Sequence, residues 1–249
     1  MTQPPGAQPK YQHVLDQLRE AIRRGDYGAA EPLPTEPELA KQHNVSLMTL
    51  RKALEMLKIE GVVEGRKGSG NYVRGNDLLL YRGTPHHLPH GAGRTPWDTR
   101  TDQTLDVDQI TVTRKAEPPE RVAHALDLES NGTTFLHCRR LLQHRRPVRL
   151  VRTHVPYGLV AESRLADSEL TLDRLREVLA RLGRGPARAD AYIQSRPPTA
   201  DEVSQLAIPP RRFVIHVHRT AFDASDLPVE VEETIMDSAS YVLGYSFDL

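Results

Sequence analysis

The sequence is poor in several features, and each shortage excludes a class of protein. A single cysteine, Cys138, among 249 residues excludes an internal disulfide framework and a zinc site built from cysteines. No apolar run approaches the roughly 20 residues that a membrane-spanning helix needs. Residues 1–10, MTQPPGAQPK, contain no apolar core of a signal peptide. We therefore expect a soluble protein of the reducing cytoplasm with no membrane partner.

Net charge is also lacking. The chain has 33 Lys and Arg against 33 Asp and Glu, and residues 1–75 have 11 against 9. Any affinity for DNA must therefore come from the local placement of cations and not from bulk charge. At 249 residues the chain is long enough for two domains, each with its own core.

The first 75 residues have the pattern of three helices followed by a short hairpin. Apolar residues recur with helical spacing from Tyr11 to Ile22. Thr35–Glu38 has the spacing of a capping box and starts a second helix. Ser46 is a good N-cap for a third helix, which Gly61 ends. With a Gly-rich hairpin over residues 62–73, this order predicts a winged helix-turn-helix, which places one helix in the DNA major groove.

The pattern changes twice beyond residue 75. Residues 76–104 are rich in Gly, Pro, Thr and His without periodicity, and we assign them to a linker in which Leu78–Tyr81 forms a short element. Its cluster of histidines has no acid or cysteine nearby, so no metal site is expected. Over residues 105–249, alternating strands form hairpins, one of them turning at His144–Pro147, and short helices separate them. This pattern predicts an α+β domain built on an antiparallel sheet.

The N-terminal segment resembles the GntR family of bacterial transcription regulators over about residues 10–74. The matching residues are Leu33-Pro34-Thr35-Glu36, Glu38-Leu39-Ala40, Val45-Ser46, Thr49-Leu50-Arg51, Ala53-Leu54, Leu57, Glu60-Gly61 and Gly68-Ser69-Gly70. The resemblance implies a DNA-binding domain over residues 9–75 that contacts double-stranded operator DNA. We assign that contact to the helix starts and the wing, at Thr35, Ser46, Met48, Thr49, Arg51, Lys52, Arg66, Lys67, Gly68 and Gly70.

Two positions depart from the family's pattern. Pro37 and Leu47 stand where arginines commonly contact DNA in the family. A lost bidentate arginine–guanine contact removes about 1–3 kcal/mol of discrimination. Leu47 lies about 60° from Leu50 on the helical wheel, so we expect it to pack partly on the core, with Met48 further out and within reach of a thymine methyl group. The family's docking mode carries over to this chain, but its usual operator sequence does not.

The C-terminal part, about residues 105–247, resembles the UTRA effector-binding domain of the HutC subfamily in the order of its motifs. The matching segments are Val122-Ala123, Leu126-Asp127-Leu128, Arg139, Pro147-Val148, Thr153–Pro156, Ala200, Leu206-Ala207-Ile208 and Leu227–Glu230, with a looser Asp237–Tyr241. The resemblance implies a chorismate-lyase-like fold that dimerises and binds a small, often anionic effector. It implies no cofactor.

Strand alternation describes part of the expected pocket. Arg139, which aligns with the family's anion-binding arginine, shares a strand face with His137 and Leu141. A buried arginine needs a partner, which an anionic effector would supply. The alternative is a structural ion pair with Glu230 or Glu232. The other pocket candidates are Arg152, Glu230 and Glu232, with His154, His216, His218 and Tyr241 as weaker ones.

Together these patterns predict a transcription regulator, a homodimeric repressor whose operator affinity is controlled by a small-molecule effector. Two alternatives remain open at this point: an effector-independent regulator of plasmid or chromosome maintenance, and a chorismate-lyase-like enzyme. The sequence has no G-x-S-x-G, H-E-x-x-H or P-loop spacing and no acid–base constellation, so we do not expect an enzyme.

Overall fold

The computed structural model describes residues 9–66, 68–75, 78–83, 105–161 and 172–245. Backbone contacts divide the chain into two compact units, residues 1–78 and 79–249. Both predicted folds are confirmed: the first unit is a winged helix, and the second is an antiparallel sheet with helices.

The N-terminal unit consists of three helices and a two-stranded wing. Its elements are α1 Lys10–Arg24, α2 Glu36–Gln42, α3 Leu47–Glu60, β1 Val63–Arg66 and β2 Gly70–Val73. Gly25 and Gly61 end α1 and α3 in the left-handed region, with φ of 86° and 77°, where glycine has no steric penalty. Leu39, Leu50 and Leu57, all 0% exposed, are the centre of a core that holds α1, α2 and α3 together.

A six-stranded antiparallel sheet in the order β4-β5-β6-β9-β8-β7 forms the second unit. Its strands are β4 Asp106–Ala116, β5 Thr134–Gln143, β6 Arg146–Pro156, β7 Arg188–Arg196, β8 Val214–Phe222 and β9 Pro228–Asp237. The helices are α4 Glu120–Ala125, α5 Tyr157–Val160, α6 Leu172–Arg181 and α7 Ala200–Leu206. The tight β5–β6 hairpin turns at His144 and Arg145, which both have positive φ, as a two-residue type I′ turn requires.

A second, smaller sheet joins distant parts of the chain. Strand β3, Leu79–Gly83, pairs in parallel with β10, Tyr241–Tyr245. Strand β3 falls within the range that the sequence assigns to the linker, and it belongs to the second unit. Strand β3 is therefore the first element of the second unit, and it begins six residues after the end of β2.

Different elements cover the two faces of the large sheet. Helix α7 packs Leu206 against Leu150 and Ile235, and α4 packs Val122 against Val231. We call this side the α7 face. On the other side, the α6 face, Leu175 and Leu179 pack on Phe135 and Val155, and the β3–β10 pair packs on Val217 and Met236.

Candidate DNA-binding surface and effector site

The recognition helix α3 begins with a hydroxyl cap. The Thr49 backbone N–H donates to Ser46 Oγ at 3.2 Å, and the Ser46 and Thr49 hydroxyls lie 2.9 Å apart. Ser46 therefore satisfies one of the free N–H groups at the helix start, as an N-cap does. Since Leu50 is buried, the exposed side of α3 presents Arg51 and Lys52 to solvent.

Both exposed cations on α3 already have contacts within the N-terminal unit. Arg51 Nε lies 2.7 Å from Glu36 Oε2 on α2, and Lys52 Nζ lies 3.9 Å from the centroid of the Tyr11 ring. Exposed ion pairs of this kind contribute about 0–1 kcal/mol, so a phosphate group can replace Glu36 at little cost. The geometry leaves both cations available to the DNA backbone.

The first residues of α3 are apolar and exposed. Leu47 is 41% exposed and Met48 is 82% exposed. The expectation that Leu47 packs partly on the core is wrong, because its side chain is not part of the core cluster of the N-terminal unit. The tip of the recognition helix is thus apolar, and its cations begin one turn later.

The wing places glycines where the backbone needs them. Gly68 and Gly70 have φ of 75° and 100°, values that favour glycine. The Arg66 guanidinium carbon lies 4.1 Å from the centroid of the Tyr72 ring. Arg66 Nε also donates to Glu64 Oε1 at 2.9 Å. Lys67, the other predicted wing cation, lies outside the described residues.

Thr35 caps α2. Its backbone N–H and its hydroxyl both donate to Glu38 Oε2, at 2.8 and 2.7 Å. These bonds hold the pKa of the Glu38 carboxyl below its usual range. The Thr35 side chain is thus engaged in the cap at the start of α2.

A row of polar side chains crosses the α6 face of the large sheet. His137 is opposite Thr153, Thr153 is opposite Glu232, and Glu232 is opposite Arg219, so the four side chains lie next to one another. We call them the polar row. His137, Thr153 and Arg219 are 3%, 0% and 3% exposed.

Several atoms of the polar row lack partners within the part of the chain that the structure describes. His137 Nδ1, Thr153 Oγ1 and Arg219 Nε are buried there without a hydrogen bond. An unsatisfied buried polar group costs about 1–3 kcal/mol, and native proteins contain few of them. Three such atoms in one row make it a candidate site for a polar ligand.

Ion pairs flank the polar row. Arg219 Nη2 contacts Glu230 Oε1, and Arg176 from α6 lies 3.4 Å from Glu230 and 4.0 Å from Glu232. Burial alone would raise the pKa of Glu230, but Arg219 and Arg176 hold it below its usual range. The predicted Arg139 lies on the same face, next to Val151 across the β5–β6 pairing.

Two tyrosines of the small sheet pack on the same α6 face, in a cluster with Val217 and Met236. Tyr81 and Tyr241 are 3% and 5% exposed. Burial raises the pKa of Tyr241 to about 12, and it raises the pKa of Tyr81 further, with Glu232 adding to the effect and Arg149 opposing it. Both phenols stay protonated at neutral pH and can donate a hydrogen bond to an anion.

The other predicted pocket residues lie on the opposite, α7 face. Arg152 Nη2 is 3.0 Å from Asp201 Oδ2 on α7. His154 is 2% exposed, and its Nδ1 lies 3.0 Å from Thr134 Oγ1. Strand alternation therefore directs Arg152 and His154 to the face opposite Arg139, Glu230 and Glu232, although Arg139 and Arg152 both contribute to the lining of one cavity.

A small cavity of about 170 Å³ opens on the α7 face, between β4, β5, β6 and α7. Cys138, Arg152 and Gln205 contribute to its lining. Burial raises the pKa of the Cys138 thiol, so this cysteine is not an activated nucleophile.

A buried carboxylate organises the rest of the α7 face. Glu233 is 1% exposed and lies 2.7 Å from Arg121, 3.5 Å from His216 and 3.8 Å from His218. Burial would raise the pKa of Glu233, but these three neighbours hold it far below its usual range. The weaker candidates His216 and His218 thus belong to a charge cluster on the α7 face. The described residues contain no group of side chains suited to a metal ion.

Comparison with known proteins matches both units. A model of the gntR family of bacterial regulatory proteins matches residues 10–73, and a model of the UTRA domain matches residues 107–241, more than half of the chain. The chain belongs to the GntR family and carries a UTRA domain. This GntR-family protein is therefore a DNA-binding transcription regulator with an effector-binding domain, as the order of its two domains predicts.

Its curated relatives are regulators too. An uncharacterised HTH-type transcriptional regulator of Streptomyces coelicolor is 23% identical over 263 residues, which cover 96% of this chain and 93% of the relative. The "Probable fructoselysine utilization operon transcriptional repressor" of Escherichia coli K12 is 24% identical over 230 residues, 90% of this chain and 88% of the relative. The E. coli K12 mannosyl-D-glycerate system repressor MngR is 39% identical over 69 residues, 28% of this chain and 29% of MngR.

Solved structures share the whole fold. A crystal structure of a GntR-family regulator has a TM-score of 0.58 and 22% identity, and it covers 97% of this chain and 98% of its own. PhnF from Mycobacterium smegmatis has a TM-score of 0.50 and 22% identity, with coverage of 94% and 99%. None of the helices in the described parts of the chain is long and apolar enough to cross a membrane.

Sequence reasoning placed Arg139, Glu230, Glu232 and Tyr241 on or beside one site but missed its other members. The missed residues are Tyr81, His137, Arg149, Thr153, Arg176 and Arg219, which contribute to the polar row or to the charges around it. For Arg219 a signal existed, because it continues the alternation Ile215, Val217, Arg219 on one face of β8.

Proposed function

We propose that this regulator is a repressor, and that a small polar anion bound at the polar row on the α6 face changes its affinity for the operator. The observation that carries the proposal is the set of buried atoms in the polar row without partners among the described residues. A ligand that hydrogen-bonds to these atoms would recover the free energy that they lose by burial.

The charges around the polar row favour an anionic ligand. Four arginines, Arg139, Arg149, Arg176 and Arg219, contribute to this face against two glutamates. Arginine binds carboxylate and phosphate groups through paired, charge-assisted hydrogen bonds. The fructoselysine and mannosyl-D-glycerate repressors are named after sugar derivatives. We propose a sugar phosphate or sugar acid, whose hydroxyl groups would bond to His137 and Thr153.

Ligand binding would influence DNA affinity through β3. This strand begins six residues after β2 ends. Its Tyr81 side chain interacts electrostatically with Glu232, Arg149 and Arg219. A ligand among these charges acts on the segment that leads into the DNA-binding unit. The effect on the operator requires that the ligand bind one arrangement of that segment more tightly than another.

A Thr153→Val variant tests the ligand site. The substitution keeps the shape of the side chain and removes a buried hydroxyl that has no partner among the described residues, so the fold and the DNA affinity should persist. The affinity for the effector should fall about tenfold, which corresponds to one hydrogen bond to an anion. Thermal-shift screening of sugar phosphates and sugar acids identifies the ligand, and a titration of the protein–DNA complex measures its effect.

Thr220→Val is the matched control. Thr220 is a buried threonine, 6% exposed, that lies on the α7 face of the same sheet. Its substitution should leave the effector affinity unchanged. Equal losses in both variants would place the ligand elsewhere, and a screen in which no compound shifts either stability or DNA release would contradict effector control.

We further propose that the regulator acts as a homodimer that pairs through β4. Apart from Ala116, all residues of this eleven-residue edge strand are exposed. Val107, Ile110 and Val112 lie on its α6 side and are 46%, 60% and 41% exposed. A long edge strand with an apolar stripe promotes association, and an antiparallel strand can pair with its own copy about a two-fold axis.

An Ile110→Asp variant tests this interface. A charge at the most exposed position of the stripe should raise the dimer dissociation constant at least about tenfold, because two copies of the charge meet across the axis. Sedimentation velocity at several concentrations measures the change. Tyr192→Asp on the opposite edge strand β7, where Tyr192 is 71% exposed, serves as the control. A monomeric wild type, or a dimer that Ile110→Asp leaves intact, would contradict the proposal.

A further inference from the structure

The first turn of α3 presents an apolar tip at the end of the helix that enters the groove. Leu47 and Met48 are adjacent in sequence and are 41% and 82% exposed. One turn later on the same side come Arg51 and Lys52, which are exposed and cationic. The surface that faces the DNA therefore has two parts, an apolar tip and a cationic second turn.

We propose that Leu47 and Met48 read thymine methyl groups, so that each operator half-site carries T·A pairs where the tip of α3 meets the base edges. This inference rests on the DNA-binding function established above. In the major groove the C5 methyl of thymine is the apolar group on a base edge, and an apolar side chain is its matching contact. The N-terminal residues of a recognition helix are those that contact base edges. Leu47 has no hydrogen-bonding group with which to favour guanine or adenine.

The two parts of the surface divide the binding energy between them. Arg51 and Lys52 can reach phosphate groups, which supply affinity without sequence preference. The apolar tip supplies the discrimination, since each methyl group buried against it gives about a fourfold gain in affinity. With one such contact in each of the two half-sites that the proposed homodimer would bind, the thymine preference should reach about sixteenfold.

Uracil substitution tests the proposal, because uracil differs from thymine only by the missing methyl group. Duplexes are first selected from a random pool with the full chain. The selected thymines are then replaced by uracil, and binding is measured by fluorescence anisotropy at fixed salt. The wild type should lose about sixteenfold in affinity on replacement. The Leu47→Ala, Met48→Ala double variant should bind both duplexes equally.

The possible results are distinguishable. Equal binding of the thymine and uracil duplexes by the wild type would overturn the methyl readout while leaving sequence-specific DNA binding intact. The same holds if the double variant keeps the full penalty. A selection that enriches no sequence would overturn both the readout and specific DNA binding.

A gain-of-function variant provides an independent measurement. Leu47→Arg places a bidentate donor at the same position, and arginine pairs with guanine in the major groove. Selection with this variant should replace thymine by guanine at one position of each half-site, with a preference of about fivefold or more. Retention of the wild-type thymines by Leu47→Arg would show that residue 47 does not face the bases.

Discussion

Replacing Arg219 by methionine should destabilise the C-terminal unit by about 3–5 kcal/mol at pH 7, the range found when one partner of a buried ion pair is removed. Arg219 is 3% exposed and pairs with Glu230, which is 0% exposed. The variant leaves the Glu230 carboxylate in the interior with Arg176, at 3.4 Å, as its remaining cationic partner among the described residues. Urea unfolding followed by circular dichroism measures the loss.

Two further variants show whether the loss of stability comes from the buried Glu230 carboxylate that Arg219 no longer pairs with. Adding Glu230→Leu to Arg219→Met should recover most of the stability, because an apolar pair of similar volume can replace a buried ion pair at little cost. Arg140→Met is the matched control, since its partner Asp108 lies near the surface and such pairs contribute less than about 1 kcal/mol. A double variant as unstable as Arg219→Met would assign the loss to packing of the arginine stem.

The pH dependence of stability also tests whether the Glu230 carboxylate causes the loss in Arg219→Met. In the wild type, Arg219 and Arg176 hold the pKa of Glu230 below its usual range. Without Arg219, burial raises this pKa, so the carboxyl takes up a proton as the pH falls. The difference in stability between wild type and variant should therefore shrink from pH 7 toward pH 4.

Local signals in the sequence predict the DNA-binding unit well because each of its elements carries its own start and stop. Thr35 and Ser46 begin their helices through hydrogen bonds within one turn, and Gly61 ends α3 through its own backbone angles. The order of these elements is therefore visible without knowledge of tertiary contacts. The same is true of the β5–β6 hairpin, whose turn residues lie between its strands.

The effector site resists such prediction because it depends on register between distant strands. Strand alternation shows that Arg139 and His137 share a face, but it cannot show which face Arg152 shares. That question is settled by the pairing of Arg152 with Cys138 on β5, which places both on the α7 face. Strand β3 is a stronger case, since its partner strand begins at Tyr241, far along the chain from Leu79. No local pattern encodes such a parallel pairing.

The error at Leu47 has a different physical origin. A helical wheel gives the direction of a side chain around the axis, but it does not give the position of neighbouring elements along the axis. Leu47 is the first residue of α3, while the buried residues of this helix run from Leu50 to Leu57. The residues that α3 contributes to the buried core cluster of the first unit begin one turn further on, at Leu50. The Leu47 side chain therefore stays 41% exposed although the helical wheel directs it toward the core side of α3.

Acidification should destabilise this protein through His154, and a His154→Asn variant should lose much of that sensitivity. His154 is 2% exposed and shares a hydrogen bond with Thr134. Burial lowers its pKa to about 4, whereas the ordinary value for histidine in an unfolded chain is about 6.5. The native state therefore binds fewer protons than the unfolded state between these two values, so stability falls as the pH drops through this window.

Unfolding free energies between pH 7 and pH 5 measure this effect while carboxylates stay largely ionised in both states. His154 should account for a loss of about 1.6 kcal/mol between pH 6.5 and pH 5 in the wild type. His137, whose pKa burial also lowers, contributes with the same sign in the wild type and in the variant. His124→Asn, at an exposed position of α4, is the control and should keep the wild-type slope. If His154→Asn keeps that slope as well, His154 takes up its proton in the folded state without unfolding. The buried His154 site on the α7 face would then accommodate a charged imidazolium near Glu233.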